Sequence, residues 1–521
     1  MKIQDFLHSK QGYWLLLPIL LLALYLRINH QWLIPYFYNA DEYYVVQPSL
    51  HIFLTGILDP RVFKYGSCIY YTTALLYWIY FHLYSALFAL SFTNLIHQIN
   101  DASPILYTIA RYESAFFDLL NILMTYVIGK RLFQHQSVAL VAALMTALNP
   151  LNIYMSHMAK VDTALTFFVL LVFYFSLRIQ EKGRLRDMIL AGISAGLAMA
   201  TKYDLIALLP PVVAAYFYAR HHRTPLSGRT LLFVMTAFLF FFLASPYTVL
   251  DLRGFLRDIS SESAQQGLSL ATLGWVHTRF VYQFLVQLPF CLSISVYLLF
   301  IAGLFRFKTF MNNEVFVLFL SYPFSYFVFS TALSASISQI IFSHLYLTIV
   351  PFIIILSSCA GVYFISKIKI RFLKYVIAGI LLADVIIASS NFKDILLPYK
   401  TAGEWMESLT PSQIVRVSYV SPFNLYLGGN YEIEGIQPSP LMLKQISAFK
   451  PQVMLVSEGW YKTYFYKRES YYHEPIDTIL SDMGYAMIKQ FQPSSVYVDL
   501  FEHIDRAIDI GTIRIFTKYP G

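Results

Sequence analysis

Pro104-Ile-Leu-Tyr-Thr-Ile-Ala-Arg-Tyr-Glu-Ser-Ala-Phe-Phe-Asp-Leu-Leu-Asn-Ile-Leu-Met-Thr-Tyr-Val-Ile128 decides how this chain is threaded. The run exceeds the ~20 residues that cross a bilayer as a helix. It nevertheless carries Arg111, Glu113 and Asp118, while the greasier run Tyr70–Phe92 stands just before it. The basic residues choose between the two. Clusters at Lys2/Lys10, Lys130/Arg131, Lys182/Arg184/Arg186, Arg220/Arg223/Arg229, Arg306/Lys308 and Lys367/Lys369/Arg371/Lys374 fall in every second connection. That alternation is the positive-inside pattern. If both runs crossed, every later basic loop would change sides. Pro104–Ile128 is therefore read as the span. Tyr70–Phe92, rich in Tyr, Trp and His, is read as lying along the outer interface. The N-terminus is then cytoplasmic, and the tail after Ser390 is extracytoplasmic.

Composition supports a membrane chain. Of 521 residues, 57% are hydrophobic and 13% charged, with mean hydropathy +0.55. A soluble domain carries roughly 25% charged residues. This excludes an ordinary cytosolic enzyme, a disordered chain and a nucleic-acid binder. The apolar runs are continuous rather than alternating, which predicts helices and not a barrel. The net charge of +8 reports topology rather than an acidic partner. Cys68, Cys291 and Cys359 are too scattered for a disulfide scaffold or zinc site.

Eleven runs qualify as spans: Tyr13–Leu33, Pro104–Ile128, Ser137–Ile153, Asp162–Ile179, Asp187–Thr201, Leu205–Ala219, Leu231–Ser245, Tyr282–Phe305, Glu314–Thr331, Ile340–Ile365 and Tyr375–Ser390. The first has no small-residue cleavage site and is read as a retained anchor. Two long outer loops, about Ile34–Ser103 and Thr248–Val281, remain. The fold class is thus a polytopic α-helical membrane protein of about 11 spans over residues 1–392. A small extracytoplasmic α/β domain follows over residues 393–521, with strands expected at Ile414–Val420, Gln452–Ser457 and Ile513–Lys518, and helices at Thr401–Leu409 and Pro475–Met483. No internal repeat is visible, which argues against an inverted-repeat transporter.

The outer half gathers the remaining charges. Asp187–Thr201 and Leu205–Ala219 are short and are joined by Lys202-Tyr203-Asp204. Their turn must lie below the outer surface, where ionisable groups need a cavity. Lys202 is then a candidate for an anionic ligand, or else an interfacial lysine that snorkels. Asp41 and Glu42 follow the first run; they suit proton transfer, or Asp41 N-caps a helix running toward Leu54. Asp162 opens a span after His157 and Lys160, where the helix dipole alone would favour an acid. With Lys64 and Arg111, these groups suggest a site for a charged group under a hydrophobic roof. Transfer from a lipid-linked phosphate fits. A carboxylate takes the acceptor's proton, and cations stabilise the departing phosphate. No cofactor is required, although a divalent cation can share that work. Tyr43, Tyr44, Tyr70, Tyr71 and Tyr203 stand beside these charges, where phenols can contact a sugar.

The chain resembles the polyprenol-phosphate-sugar glycosyltransferases of the GT-C fold, the group of protein O-mannosyltransferases and lipid A aminoarabinose transferases. The matching motifs are Asp41-Glu42, Phe63-Lys64-Tyr-Gly-Ser-Cys-Ile-Tyr-Tyr71, Ile109-Ala-Arg111 through Phe133, Asn149-Pro-Leu with Ser156-His-Met-Ala-Lys-Val-Asp162, Gly192-x3-Gly196 through Lys202, Ser245-Pro-Tyr through Asp251, and His344-Leu-Tyr-Leu-Thr-Ile-Val-Pro351. The resemblance implies a polyprenyl-phosphate sugar donor and interfacial helices in the first outer loop. It assigns Asp41 as base, with Lys64, Arg111, Lys202 and His344 toward the phosphate. His344 stands where the family usually has arginine, and the prolines around Lys64 are missing. The acceptor class, protein, lipid or polysaccharide, is open. Two other readings remain: a transporter or lipid flippase, and an O-antigen ligase or polymerase type enzyme.

Overall fold

A computed structural model describes residues 14–28, 37–97, 99, 103–223, 227–265, 280–281, 283–333, 340–409, 415–420, 423–425, 431–436, 442–457, 476–492 and 513–518. Lys2, Lys10 and much of the second outer loop lie outside them. The chain divides into two compact units. One comprises residues 1–30, 43–337 and 341–389; the other comprises 31–42, 338–340 and 390–521.

The first unit is helical. Its longer helices are α1 (Leu16–Ile28), α2 (Ala40–Thr55, entering from the other unit), α3 (Ser67–Phe88), α4 (Pro104–Phe133), α5 (Gln136–Leu148), α6 (Pro150–Ser156), α7 (Asp162–Lys182), α8 (Leu185–Lys202), α9 (Leu209–His222), α10 (Ser227–Ala244), α11 (Leu252–Gln265), α12 (Ile294–Phe305), α13 (Asn313–Leu333), α14 (Val350–Lys367) and α15 (Arg371–Ala388). Helix α7 packs against α4, α8 and α9, and α14 against α5 and α12. Every residue of α14 from Val350 to Gly361 is buried.

Glycine sets one of these contacts. A Cβ on Gly192 would stand 2.7 Å from the Thr236 Cβ, and one on Gly196 2.4 Å from the Ala237 carbonyl oxygen. The small-x3-small spacing thus lets α8 and α10 approach backbone to backbone.

The run expected at Ser137–Ile153 is broken. Helices α5 and α6 meet at a 55° bend. Pro150 lacks the N–H that would continue α5, and the Asn149 side chain accepts from the Asn152 N–H at 3.0 Å, capping the new helix. The run at Tyr282–Phe305 is also interrupted. Ser293 sits at φ +105° between a short helix, Leu288–Leu292, and α12.

Among the described residues, three helices are long and apolar enough to cross a membrane: Asp162–Lys182, Asn313–Thr331 and His344–Lys367. The bent α5–α6 pair makes four if counted as one span. The larger expected number relies partly on runs of about 15 residues, which as helices extend only about 22 Å. The bilayer core is about 30 Å thick.

Helix α4 explains its own charges. Asp118 receives the Arg27 Nε at 2.6 Å, with both side chains wholly buried. Arg27 also donates to the carbonyls of Ala147 at 3.0 Å and Thr146 at 3.5 Å. Both carbonyls lie in the last turn of α5, where that of Thr146 also accepts the Asn149 N–H at 3.3 Å, and a cation there meets the negative end of the dipole. Asn152 donates to the other Asp118 oxygen at 2.6 Å. Glu113 accepts the hydroxyls of Thr72 and Thr73 on α3, each at 2.5 Å.

The second unit carries a five-stranded sheet of order β4-β2-β5-β7-β6. Its strands are β2 (Val415–Val420), β4 (Tyr431–Gly435), β5 (Val453–Ser457), β6 (Tyr485–Phe491) and β7 (Ile513–Lys518). Strands β4, β2 and β5 run parallel, and β7 lies antiparallel between β5 and β6. A separate pair joins β1 (Phe37–Asn39) to β3 (Phe423–Leu425). Strand β5 is buried at every position, as its unbroken Val-Met-Leu-Val run requires of a central strand. Its core includes Met442 and Ile446 of helix α17 (Met442–Phe449), Met454, Leu480 and Phe516. Helix α16 (Asn391–Ser408) precedes the sheet, and its Tyr399 hydroxyl bonds the Ser457 hydroxyl at 2.9 Å.

Candidate active site

Helix α8 ends at Lys202, and three consecutive residues there reach three different elements. The Lys202 Nζ lies 2.5 Å from Asp162 Oδ1 at the start of α7. The Tyr203 hydroxyl donates to the Tyr65 carbonyl at 2.9 Å. Asp204 accepts the hydroxyl of Tyr322, on α13, at 2.6 Å and the Ile206 N–H at 3.0 Å. Tyr203 achieves this in a left-handed conformation, φ +55°, which costs a non-glycine residue about 1–2 kcal/mol. The turn that sequence reading placed at depth is therefore a three-way junction.

Asp162 is the focus. It is 2% exposed. One oxygen pairs with Lys202, and Oδ2 has no hydrogen-bond partner among the described residues. Lys202, His344 and Lys160 are the basic groups whose electrostatic influence reaches this carboxylate. Lys160 is itself buried, and its carbonyl accepts the Ser114 hydroxyl of α4 at 3.1 Å. His344 stands in the 3-10 segment Ile340–Ile349 ahead of α14. One base is thus paired with this carboxylate and two more act on it electrostatically, in a poorly hydrated place. Positive charge in such surroundings favours an anion more strongly than it would in water.

The remaining candidates are placed as follows. Asp41 and Glu42 lie in the first turn of α2, Asp41 half-buried and Glu42 wholly buried. The helix begins at Ala40, so Asp41 is inside the turn rather than its N-cap. Lys64 is half-buried, with Nζ 4.0 Å from the centre of the Tyr44 ring. Arg111 is 2% exposed on α4. His157 is buried and donates through Nδ1 to the Ile153 carbonyl at 2.7 Å. Tyr70 and Tyr71 turn out to be engaged with protein backbone. The Tyr70 hydroxyl accepts from the Tyr65 N–H at 3.2 Å, and the Tyr71 hydroxyl donates to the Leu58 carbonyl at 3.0 Å.

Sequence reasoning did not find the Asp204–Tyr322 bond or the Arg27–Asp118 pair. The available signal was an acid in a short turn at depth and a basic residue ending the first apolar run. Among the described residues, no group of three or more His, Cys, Asp or Glu is arranged to hold a metal ion.

Residues 92–249 match the family model described as dolichyl-phosphate-mannose-protein mannosyltransferase. No curated protein matches the sequence. Among solved structures, the chain is similar to the archaeal oligosaccharyltransferase AglB from Archaeoglobus fulgidus, at 12% identity and TM-score 0.51, over 95% of this chain and 74% of AglB. It is also similar to ArnT from Cupriavidus metallidurans, at 12% identity and TM-score 0.47, over 98% of this chain and 99% of ArnT. Residues 92–249 are thus similar to that family, and the chain as a whole shares the fold of AglB.

Proposed function

We propose that this protein is a membrane glycosyltransferase moving a sugar from a polyprenyl-phosphate donor to an acceptor hydroxyl. The observation that carries the reading is the ion pair of Lys202 with the buried Asp162, with Lys160 and His344 close enough to act on the same carboxylate electrostatically. Such a cluster suits a lipid phosphate whose tail stays in the bilayer. Further support comes from the family model, whose description names a dolichyl-phosphate sugar donor. The AglB structure was solved with an inhibitory peptide and a dolichol-phosphate.

In the proposed reaction, the acceptor oxygen attacks the anomeric carbon while Asp41 takes the hydroxyl proton. The bond from that carbon to the phosphate oxygen breaks, and polyprenyl phosphate leaves with the electron pair. A single displacement inverts the anomeric centre. Lys64, Arg111, Lys202 and His344 stabilise the charge on the leaving group. Glu42, His157 and Lys160 support the site, and the unpartnered Asp162 Oδ2 accepts a donor hydroxyl. No cofactor is required in this scheme, so transfer should persist after chelation; a loss restored by magnesium or manganese would assign part of the charge stabilisation to a metal.

The site is proposed to face the extracytoplasmic side of the plasma membrane, with the N-terminus cytoplasmic and residues 393–521 outside. The acceptor is a protein, a lipid or a polysaccharide. Asp41→Asn tests the reading: transfer should fall by orders of magnitude in a protein that still folds and inserts. Unchanged transfer would remove Asp41 as the base. Movement of lipid across liposomes without chemical change would favour a flippase instead.

A further inference from the structure

The backbone that carries Lys64 has no secondary structure of its own between Gly56 and Ser67. Its polar groups are held from outside. The Phe63 N–H donates to Asp258 Oδ2 at 3.0 Å, the Gly66 N–H to the Thr201 carbonyl at 3.2 Å, and the Ser67 N–H to the Ser245 hydroxyl at 3.2 Å. Tyr65, the residue after Lys64, is held by two phenols. Tyr70 receives its N–H, and Tyr203 donates to its carbonyl. The Tyr203 ring is wedged against Phe255 at 5.4 Å and Phe241 at 6.4 Å. Tyr203 is also covalently next to Lys202, whose ammonium is fixed on Asp162.

We propose that Tyr203 is a positioning residue that sets Lys64 at a fixed distance from Lys202, so that the two ammonium groups address one lipid phosphate together. The connection is short: Lys202, the peptide bond, the Tyr203 ring, one hydrogen bond, and the Tyr65 carbonyl one residue from Lys64. The left-handed backbone at Tyr203 points the phenol back toward that loop. The positioning rests on observed bonds, whereas the ligand rests on the functional reading above. A single phosphate held by two cations loses most of the benefit of the second when their spacing drifts.

The test uses the full-length protein in detergent micelles, with undecaprenyl phosphate as the probe and undecaprenol as the uncharged control. Tyr203→Phe keeps the ring and removes only the hydroxyl. It should weaken undecaprenyl phosphate binding about five- to tenfold, the value of one buried hydrogen bond. In a Lys64→Met background the same change should cost nothing further, because Tyr203 acts through Lys64. Limited trypsin digestion should also cut faster after Lys64 in Tyr203→Phe. Tyr70→Phe should reproduce both effects. Unchanged binding, an equal loss in the Lys64→Met background, or unchanged cleavage would overturn the proposal. If the wild-type protein binds undecaprenol as tightly as undecaprenyl phosphate, the phosphate reading fails and the shared-phosphate role falls with it. The cleavage rates then still report whether Tyr203 holds the Lys64 loop.

Discussion

Arg27 and Asp118 form a fully buried ion pair, 2.6 Å apart, at the point where α5 gives way to α6. The pair joins α1 to α4, satisfies the terminal carbonyls of α5 and, through Asn152, holds the first turn of α6. Removing one partner leaves the other charge without compensation. Arg27→Met should therefore destabilise the protein by about 3–5 kcal/mol, read as a lower thermal unfolding temperature in detergent. The paired replacement Arg27→Met with Asp118→Leu should recover much of that loss. If it does not, the pair matters through the carbonyls of α5 rather than through its charges.

The contact between Lys202 and Asp162 makes a different prediction. Lys202→Met strips the counter-charge from a carboxylate that is 2% exposed and also removes a proposed phosphate contact. Sugar transfer should drop by at least a hundredfold, about 2.7 kcal/mol of transition-state stabilisation. Lys202→Arg keeps the charge but not the geometry and should recover only part of it. Full activity in Lys202→Met would show that the ion pair is structural.

Three glycines allow a graded test of close approach. A Cβ on Gly66 would meet the Ala200 carbonyl oxygen at 2.1 Å, and one on Gly196 the Ala237 carbonyl oxygen at 2.4 Å. Neither neighbour is a flexible side-chain end that can swing aside. Gly66→Ala and Gly196→Ala should each destabilise the protein by about 1–3 kcal/mol, whereas Gly228→Ala meets nothing within 4 Å and should not. Detergent thermal shifts in the order Gly66 and Gly196 well above Gly228 are expected; equal shifts would contradict the packing described.

In the second unit, Met454 is wholly buried on the central strand β5 and packs in one cluster with Leu480 and Phe516. Met454→Ala should cost about 2–5 kcal/mol by the cavity it leaves. Protease sensitivity confined to residues beyond 390 would locate the damage in that unit. Cleavage rising equally throughout the chain would mean that the two units do not melt separately.

Much of this architecture is legible in the chain without coordinates. Apolar runs and the glycine spacing at Gly192 and Gly196 act locally, so most helices follow from neighbouring residues, whereas the bend at Pro150 interrupts a run read as one span, Ser137–Ile153. The strand runs at Val453–Ser457 and Ile513–Lys518 were legible for the same reason. Strand β4 was not, because its short polar sequence, Tyr431-Glu-Ile-Glu-Gly435, becomes a strand only beside the partner that completes its hydrogen bonds.

The charged residues divide along the same line. The charge pattern alone singled out Asp162, Lys160 and Lys202 and grouped them at the outer face, whereas His344 entered only through the family resemblance. Which group pairs with which was decided only by tertiary structure, since Asp162 and Lys202 are 40 residues apart and Arg27 and Asp118 are 91 apart. Three of the five tyrosines singled out beside these charges, Tyr70, Tyr71 and Tyr203, hydrogen-bond the backbone of the Lys64 loop. A phenol's partner depends on where its hydroxyl arrives after packing, and no local pattern records that.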